Sequence, residues 1–301
     1  MDMKKACENF LIVTNTKKDH EMKSANKLKE LIEALGARAS VVIGDSEEHL
    51  LHIDADKFEN VDCVVVMGGD GTILRVSHAI EGTGLPMIGV NLGTVGFLTE
   101  VGPDDMERML NRLMNGDYSI EERMMLKGRV FKKIASGADN APREERQEVA
   151  VINALNDIVL AREDALQLIS VKISLNGSYF DTTEADGILI STPTGSTGYN
   201  LSAGGPIVNP GTKLLVLTPI SPYSLTRRSI VFGAEDKITL ELMRKRKNSE
   251  PSGLASFDGY RNVPMQIGDY VEVSASDEKL QLIKLEDQSV YQVLQKKLGM
   301  R

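Results

Sequence analysis

An α/β domain with a parallel sheet, followed by a β-sandwich-like domain, is the fold class this sequence predicts. Three observations predict it. Through Asp117, apolar strand-like runs alternate with helix-period segments. From Ile120 to Ile283, short strands separated by turn signals dominate. The last stretch then regains helical spacing. The expected division is residues 1–117 as the α/β domain, with 285–301 packing back on it, and 118–284 as the β-rich domain.

Each element has its own signal. Phe10 to Asn15 reads as a strand. In Lys23–Leu35, residues Leu28, Leu31, Ile32 and Leu35 recur at helical spacing, and Gly36 supplies the stop. Ala39–Ile43 and Val61–Met67 are strands, the second apolar throughout as a strand covered on both faces would be. Thr72–Glu81 is a helix, and Pro86–Val90 a further strand. In the β-rich part, strands are expected at Val149–Ala161, Ile169–Leu175, Ile188–Thr192, Leu214–Thr218, Ile238–Met243, Tyr270–Ala275 and Leu280–Lys284. Two polar stretches, 132–148 and 244–253, read as solvated hairpin tips. Asp287–Leu298 carries Val290, Val293, Leu294 and Leu298 on one helical stripe.

Composition excludes several functions. The chain has 301 residues and a net charge of −8, which opposes non-specific nucleic-acid binding through Lys and Arg. Aromatics are 5 % with no Trp, too few for a base-stacking surface. The two cysteines make neither a disulfide framework nor a zinc site, and Cys63 sits in an apolar run as a small core residue. There is no N-terminal apolar signal and no apolar stretch near the ~20 residues of a membrane span, so a soluble, cytoplasmic protein is expected. All four histidines lie at or before His78, which removes a triad with a late His.

The run "VVVMGGDGTIL" (64–74) poses the chemical question. Gly68-Gly69-Asp70-Gly71-Thr72 falls where an apolar strand ends and a helix begins, the crevice where open parallel sheets bind ligands. Glycines let a backbone approach a diphosphate, Thr72 is placed to cap the helix, and free N–H groups there favour anions. Asp70 contradicts a plain phosphate cradle, because a carboxylate repels phosphate. No G-x-x-x-x-G-K-[ST] loop supplies a lysine, and G-x-G-x-x-G is absent from this turn. An acid that orients a hydroxyl toward a phosphoryl donor, with Mg²⁺ screening the charges, fits the pattern. A simple turn in which Asp70 caps the helix is the alternative.

Three further stretches add to it. "IGVNLGTVGFLTEV" (88–101) gathers Gly89, Gly93 and Gly96 around Asn91, as a second strand end beside the first. "ALNDIVLAR" (154–162) sets Asn156 and Asp157 at the start of a strand, where neighbours point to opposite faces unless a bend intervenes. "DGILISTPTGSTGYNLSAGGPIV" (186–208) crowds Ser191, Thr192, Thr194, Ser196, Thr197 and Ser202 around Gly195 and Gly198, with the Tyr199 ring nearby. Neutral donors and acceptors of this kind suit an adenine edge, a ribose and a carboxamide.

GGDGT alone resembles a superfamily of NAD kinases, diacylglycerol-type lipid kinases and phosphofructokinases. With "GVNLGTVGFL", "ALND", "TPTGSTGY…SAGGPI" and "SFDG" in this order, the chain resembles the NAD kinase family. That resemblance implies phosphorylation of the adenosine ribose 2′-hydroxyl of NAD⁺ by ATP, with Mg²⁺ or Mn²⁺, in a homodimer or homotetramer. It implies that Asp70 positions and deprotonates the hydroxyl. Gly68, Gly69, Thr72, Arg75, Asn91 and Gly93 then belong to the phosphate and ATP region. Gly71, Asn156, Asp157, Asp186, Thr194, Ser196, Thr197, Gly198, Tyr199 and Ser202 face NAD⁺; Asp258 matches a later acidic position, and no residue is assigned to the metal. The chain departs from the family's usual pattern at Gly198 (often Ala), Asp157 (often Glu) and Tyr223 (usually His). Two rival readings remain: a lipid kinase, supported by GGDGT only, and a dinucleotide sensor without turnover, which intact Asp70, Asn156 and Asp157 oppose.

Overall fold

Apolar residues set the first sheet. In the computed structural model, residues 5–44, 51, 53–93, 96–134, 146–164, 167–244, 252–285 and 294–295 are described. The chain divides into two units, Met1–Arg123 with Glu278–Arg301, and Met124–Asp277. In the first unit, β1 (Asn9–Thr14) is followed by α1 (Lys23–Ala34), β2 (Arg38–Ile43), β3 (Cys63–Gly68), α2 (Asp70–Ala79), β4 (Met87–Asn91) and α3 (Met106–Met114). The strands run parallel in the order β2-β1-β3-β4. All six residues of β3 are buried, as its unbroken apolar run requires.

The helices follow their patterns with two corrections. α1 buries Ala25, Leu28 and Ile32, but Leu35, expected on the same stripe, is the C-cap and is 43 % exposed. The chain turns away there through Gly36 at φ +84°, a conformation that favours glycine. α3 has no counterpart among the expected elements. Its Met106, Met109, Leu110 and Leu113 are buried at helical spacing, behind Pro103 at a helix start.

The second unit is a sandwich of antiparallel strands. In chain order come β5 (Ser119–Lys133), β6 (Arg146–Ala154), β7 (Asp157–Arg162), β8 (Ile169–Leu175), β9 (Ser178–Ala185), β10 (Gly187–Ser191), the short α4 (Tyr199–Ser202), β11 (Leu214–Ile220), β12 (Ile230–Gly233), β13 (Ile238–Met243), β14 (Gly253–Phe257), β15 (Arg261–Met265) and β16 (Tyr270–Lys284). β5 and β16 each begin in one unit and end in the other. One sheet has the order β12-β11-β10-β7-β14-β15, and the facing layer includes β13 paired with β8 and β16. Ile158, Leu160, Ile188, Ile190 and Phe257 from the first meet Val171, Ile173, Leu240, Val271 and Val273 from the second in one apolar core.

Several expected boundaries shift. Val149–Ala161 is two strands, broken at Leu155–Asn156 where a carboxylate captures the backbone N–H groups. Tyr270–Ala275 and Leu280–Lys284 are parts of one strand. β5, β9, β12, β14 and β15 were not among the expected strands. Residues 135–145 of one polar stretch, 245–251 of the other, and the Asp287–Leu298 helix apart from Leu294 and Gln295 lie outside the described residues. Among the described residues, no helix is long and apolar enough to cross a membrane.

The turn after β1 is held by Asp19, 2 % exposed. Its carboxylate accepts the Thr14 hydroxyl at 2.9 Å and the N–H groups of Ser24 at 2.8 Å and Ala25 at 3.0 Å. Asp19→Ala leaves those donors unsatisfied in a buried setting. A loss of about 2–4 kcal/mol in urea unfolding is expected.

Candidate active site

The first unit builds a glycine turn around Asp70. Gly68 ends β3 opposite Asn91 of β4, and Gly69 is the residue before α2. The helix begins at Asp70, so Thr72 is not its cap as the sequence suggested; it is buried in the first turn, where its hydroxyl receives the Asn15 carboxamide at 3.3 Å. Asp70 is gripped by the stretch that follows β4. Phe97 N–H donates to Oδ2 at 2.8 Å and Leu98 N–H to Oδ1 at 3.0 Å. Gly96 N–H donates to the Thr99 hydroxyl at 3.0 Å, which shapes that stretch. Residue 96 has to be glycine, because a Cβ there would fall 1.9 Å from Asp70 Oδ1. Each carboxylate oxygen keeps further acceptor capacity for an incoming hydroxyl.

The remaining residues of this half gather nearby in the fold. The Asn91 side chain accepts Gly93 N–H at 3.0 Å and so shapes the turn at the end of β4. A Cβ at Gly71 would meet nothing within 4 Å, so packing does not require that glycine. Arg75 lies one turn further along α2, half-buried, and its Nε has no hydrogen-bond partner among the described residues. The expectation overlooked two side chains: Asn15, which ties the β1 turn to Thr72, and Lys18, whose ammonium is 2.7 Å from where a Cβ of residue 69 would stand. The sequence signal was the polar "NTKKD" directly after an apolar strand.

The second unit builds a corner around Asn156 and Asp157. Asp258, at φ +53°, accepts three consecutive N–H groups: Leu155 at 2.7 Å, Asn156 at 2.7 Å and Asp157 at 3.1 Å. These bonds hold the bend between β6 and β7. Asn156 Oδ1 is buried without a hydrogen-bond partner among the described residues, an acceptor that a ligand donor would satisfy. Asp157 is 5 % exposed. Burial, and then the neighbouring Asp258 charge, push its carboxyl up to about 7.

The 191–202 run divides into a structural half and an exposed half. Ser191, Thr192 and Ser196 are fully buried and bonded internally: Thr192 to Leu155 O at 2.6 Å, and Ser196 to Pro193 O at 2.7 Å while accepting Val208 N–H at 3.0 Å. Thr194 is also buried. Thr197 and Gly198 are half-buried, while Tyr199 and Ser202 are exposed. Asn200, which the sequence reading passed over, is buried and binds Ser196 O, Pro206 O and the Thr218 hydroxyl. Gly195 packs on the corner, since a Cβ would fall 2.1 Å from Asn156 O. Asp186 is set apart. It pairs with Arg162 at 2.8 Å, beyond the end of β10 opposite to Ser191 and Asp157.

The first unit thus carries a GGDGT turn where a buried parallel strand meets a helix, and the second a polar, hydroxyl-bearing corner on a β-sandwich, the two-domain class that comparisons with known proteins match. Residues 6–118 match the ATP-NAD kinase N-terminal domain, and residues 155–285 the ATP-NAD kinase C-terminal domain. The NAD kinase of Lachnoclostridium phytofermentans is 36 % identical over 296 residues, covering 97 % of this chain and 99 % of that one. That of Agathobacter rectalis is 34 % identical over 298 residues, with the same coverage of 97 % and 99 %. The chain belongs to the NAD kinase family. Among solved structures, a yeast NADH kinase complexed with NADH superposes with a TM-score of 0.79 at 22 % identity, covering 98 % of this chain and 88 % of that one. An Archaeoglobus fulgidus NAD kinase in complex with ATP gives 0.72 at 23 % identity, covering 97 % and 98 %. Both share the fold.

Two outcomes follow from the corner. Gly195→Ala drives a Cβ into backbone and is expected to cost at least about 2 kcal/mol, whereas Gly198→Ala, whose Cβ would meet neighbours at 3.2 and 3.3 Å, costs less than about 1 kcal/mol. Urea unfolding of both variants measures this. Asp157 holds in the fold a proton that the unfolded chain releases near pH 4. Its contribution to stability is therefore complete below about pH 4 and is lost as pH rises through about 7. Asp157→Asn is expected to flatten the stability profile between these limits and to raise stability at pH 8 by a few kcal/mol, read from denaturation at stepped pH.

Proposed function

We propose that the protein transfers the γ-phosphoryl group of ATP to the 2′-hydroxyl of the adenosine ribose of NAD⁺, giving NADP⁺ and ADP. Membership of the NAD kinase family supports the reaction. The observation that carries the mechanism is Asp70, held through both oxygens by Phe97 and Leu98 N–H at the strand end. Asp70 orients the hydroxyl and accepts its proton. The ribose oxygen then bonds to the γ-phosphorus as the bond to the β–γ bridging oxygen breaks, and ADP leaves with that electron pair. Positioning dominates such a loose transition state, so a rigidly held carboxylate suits it better than a strong base.

Gly68, Gly69, Thr72, Arg75, Asn91 and Gly93 form the proposed phosphate region. Gly71, Asn156, Asp157, Thr194, Thr197, Gly198, Tyr199 and Ser202 form the proposed NAD⁺ contacts; Ser196, expected among them, is fully buried and braces their loop from inside, Asp186 is an outlying position, and Asp258 holds the corner. The buried Asn156 Oδ1 supports a donor-bearing ligand at this corner. Among the described residues, no group of three or more His, Cys, Asp or Glu could cage a metal ion. A divalent cation, Mg²⁺ or Mn²⁺, would arrive on the phosphates of ATP, because Mg²⁺ takes few protein ligands when phosphate oxygens serve. It would supply charge neutralisation on those oxygens. We place the enzyme in the cytoplasm as a homodimer or homotetramer.

The test is NADP⁺ formation from ATP, Mg²⁺ and NAD⁺, measured for wild type and Asp70→Asn. The variant is expected to lose at least about 10²-fold in kcat with its folding transition retained. Near-normal turnover in Asp70→Asn removes Asp70 from the chemistry; absence of NADP⁺ from the wild type removes the function.

A further inference from the structure

The glycine turn leaves room for one particular side chain. Lys18 follows β1 in a turn that is fixed at both ends. At its start, Asn15 N–H donates to Met67 O at 3.1 Å and the Asn15 carboxamide to Thr72 Oγ1 at 3.3 Å, joining the turn to β3 and α2. The Asn15 carbonyl accepts the N–H groups of Lys18 at 2.9 Å and Asp19 at 2.8 Å. At its end, the buried Asp19 carboxylate locks the chain onto α1.

From this fixed base the Lys18 side chain runs to the GGDGT turn. A Cβ at Gly69 would fall 2.7 Å from Lys18 Nζ, and one at Gly93 would fall 4.0 Å from it. Gly69 has φ −139° and ψ −173°, extended backbone that any residue adopts. The flexible lysine places its ammonium where a side chain of residue 69 would begin. Among the described residues, Lys18 has no carboxylate partner. In a chain of net charge −8, this exposed ammonium, beside Gly69 of the GGDGT turn and Gly93 after β4, is a compact cation with three donors to offer an anion.

We propose that Lys18 binds the phosphate chain of the nucleotide at the GGDGT turn and neutralises charge there during phosphoryl transfer. It does what the lysine of a P-loop does, but it comes from the loop of a neighbouring strand and not from the glycine loop itself. The same cation makes a phosphate tolerable on a turn that also carries Asp70. The proposal rests on the kinase reading above.

The test compares Lys18→Met, Lys18→Arg and Lys17→Met with wild type in steady-state NADP⁺ formation and in calorimetric titration with tripolyphosphate. Lys18→Met is expected to lose at least about tenfold in kcat/KM for ATP, with the KM for NAD⁺ within about twofold and an unchanged melting temperature. Lys18→Arg should recover part of the loss, and Lys17→Met should behave as wild type. A loss confined to NAD⁺ assigns the lysine to the diphosphate of the dinucleotide, which is the same chemistry from the other substrate. Unaltered constants for both substrates overturn the proposal and leave the kinase reading standing. If the wild type forms no NADP⁺, the kinase reading fails and the titration decides. Weaker tripolyphosphate binding by Lys18→Met than by Lys17→Met keeps the phosphate site, and equal binding removes it.

Discussion

A backbone N–H that leaves a strand or helix end without a partner must find one, and in this chain it repeatedly finds an aspartate. Asp19 takes Ser24 and Ala25, Asp62 takes Glu8 and Asn9, and Asp70 takes Phe97 and Leu98. Asp258 takes Leu155, Asn156 and Asp157, and Asp269 takes Lys133 and Gln266. A carboxylate accepts through two oxygens and several lone pairs, so one side chain fixes two or three peptide units at once. The sheets supply strand ends at set positions. These acids decide what the chain does after leaving them.

The same device therefore serves structure at some turns and chemistry at others. Asp19 is consumed by its donors and buried. Asp70 is held in a similar way, but at the mouth of a parallel sheet, where a carboxylate with spare acceptor capacity meets whatever binds there. Asp258 acts one step removed. It bends the chain so that Asn156 keeps an unsatisfied amide oxygen, and its charge adds to the burial that holds a proton on Asp157. Much of the net negative charge of the chain reflects surface acids, yet these few carry a disproportionate share of its geometry.

What could be read from the sequence was local, and what could not depended on partners far along the chain. The GGDGT turn was legible because its strand, glycines, acid and helix are consecutive, and the parallel sheet followed from alternating strands and helices. Thr72 looked like a cap because a threonine at a helix start usually is one; only the arrival of Asn15 from another loop reveals its partner. A bend at Asn156–Asp157 was open to the sequence, but its cause was not, since the carboxylate that makes the break between β6 and β7 is about a hundred residues away. In the hydroxyl-rich run, composition could not tell Ser196, which braces the loop from inside, from Ser202, which faces solvent. α3 was legible and overlooked: its apolar spacing is plain in "MERMLNRLM".

The parallel sheet of the first unit has a late member. Beyond β4 it is extended by the end of β16, where Leu282 sits beside Met87, and just after it Leu285 N–H donates to Glu100 at 2.6 Å while Lys284 pairs with the same carboxylate at 2.8 Å. A ribosome delivers Met87 almost two hundred residues before Leu282. Val101 bridges Val90 soon after β4 is made, so through that interval it is the Met87 end of the β4 edge that waits for its neighbour, and an open strand edge is the kind of surface that recruits other chains. Completion of the first unit is thus tied to synthesis of the whole second one, and a chain truncated within the sandwich would release an unfinished sheet and not a free-standing domain.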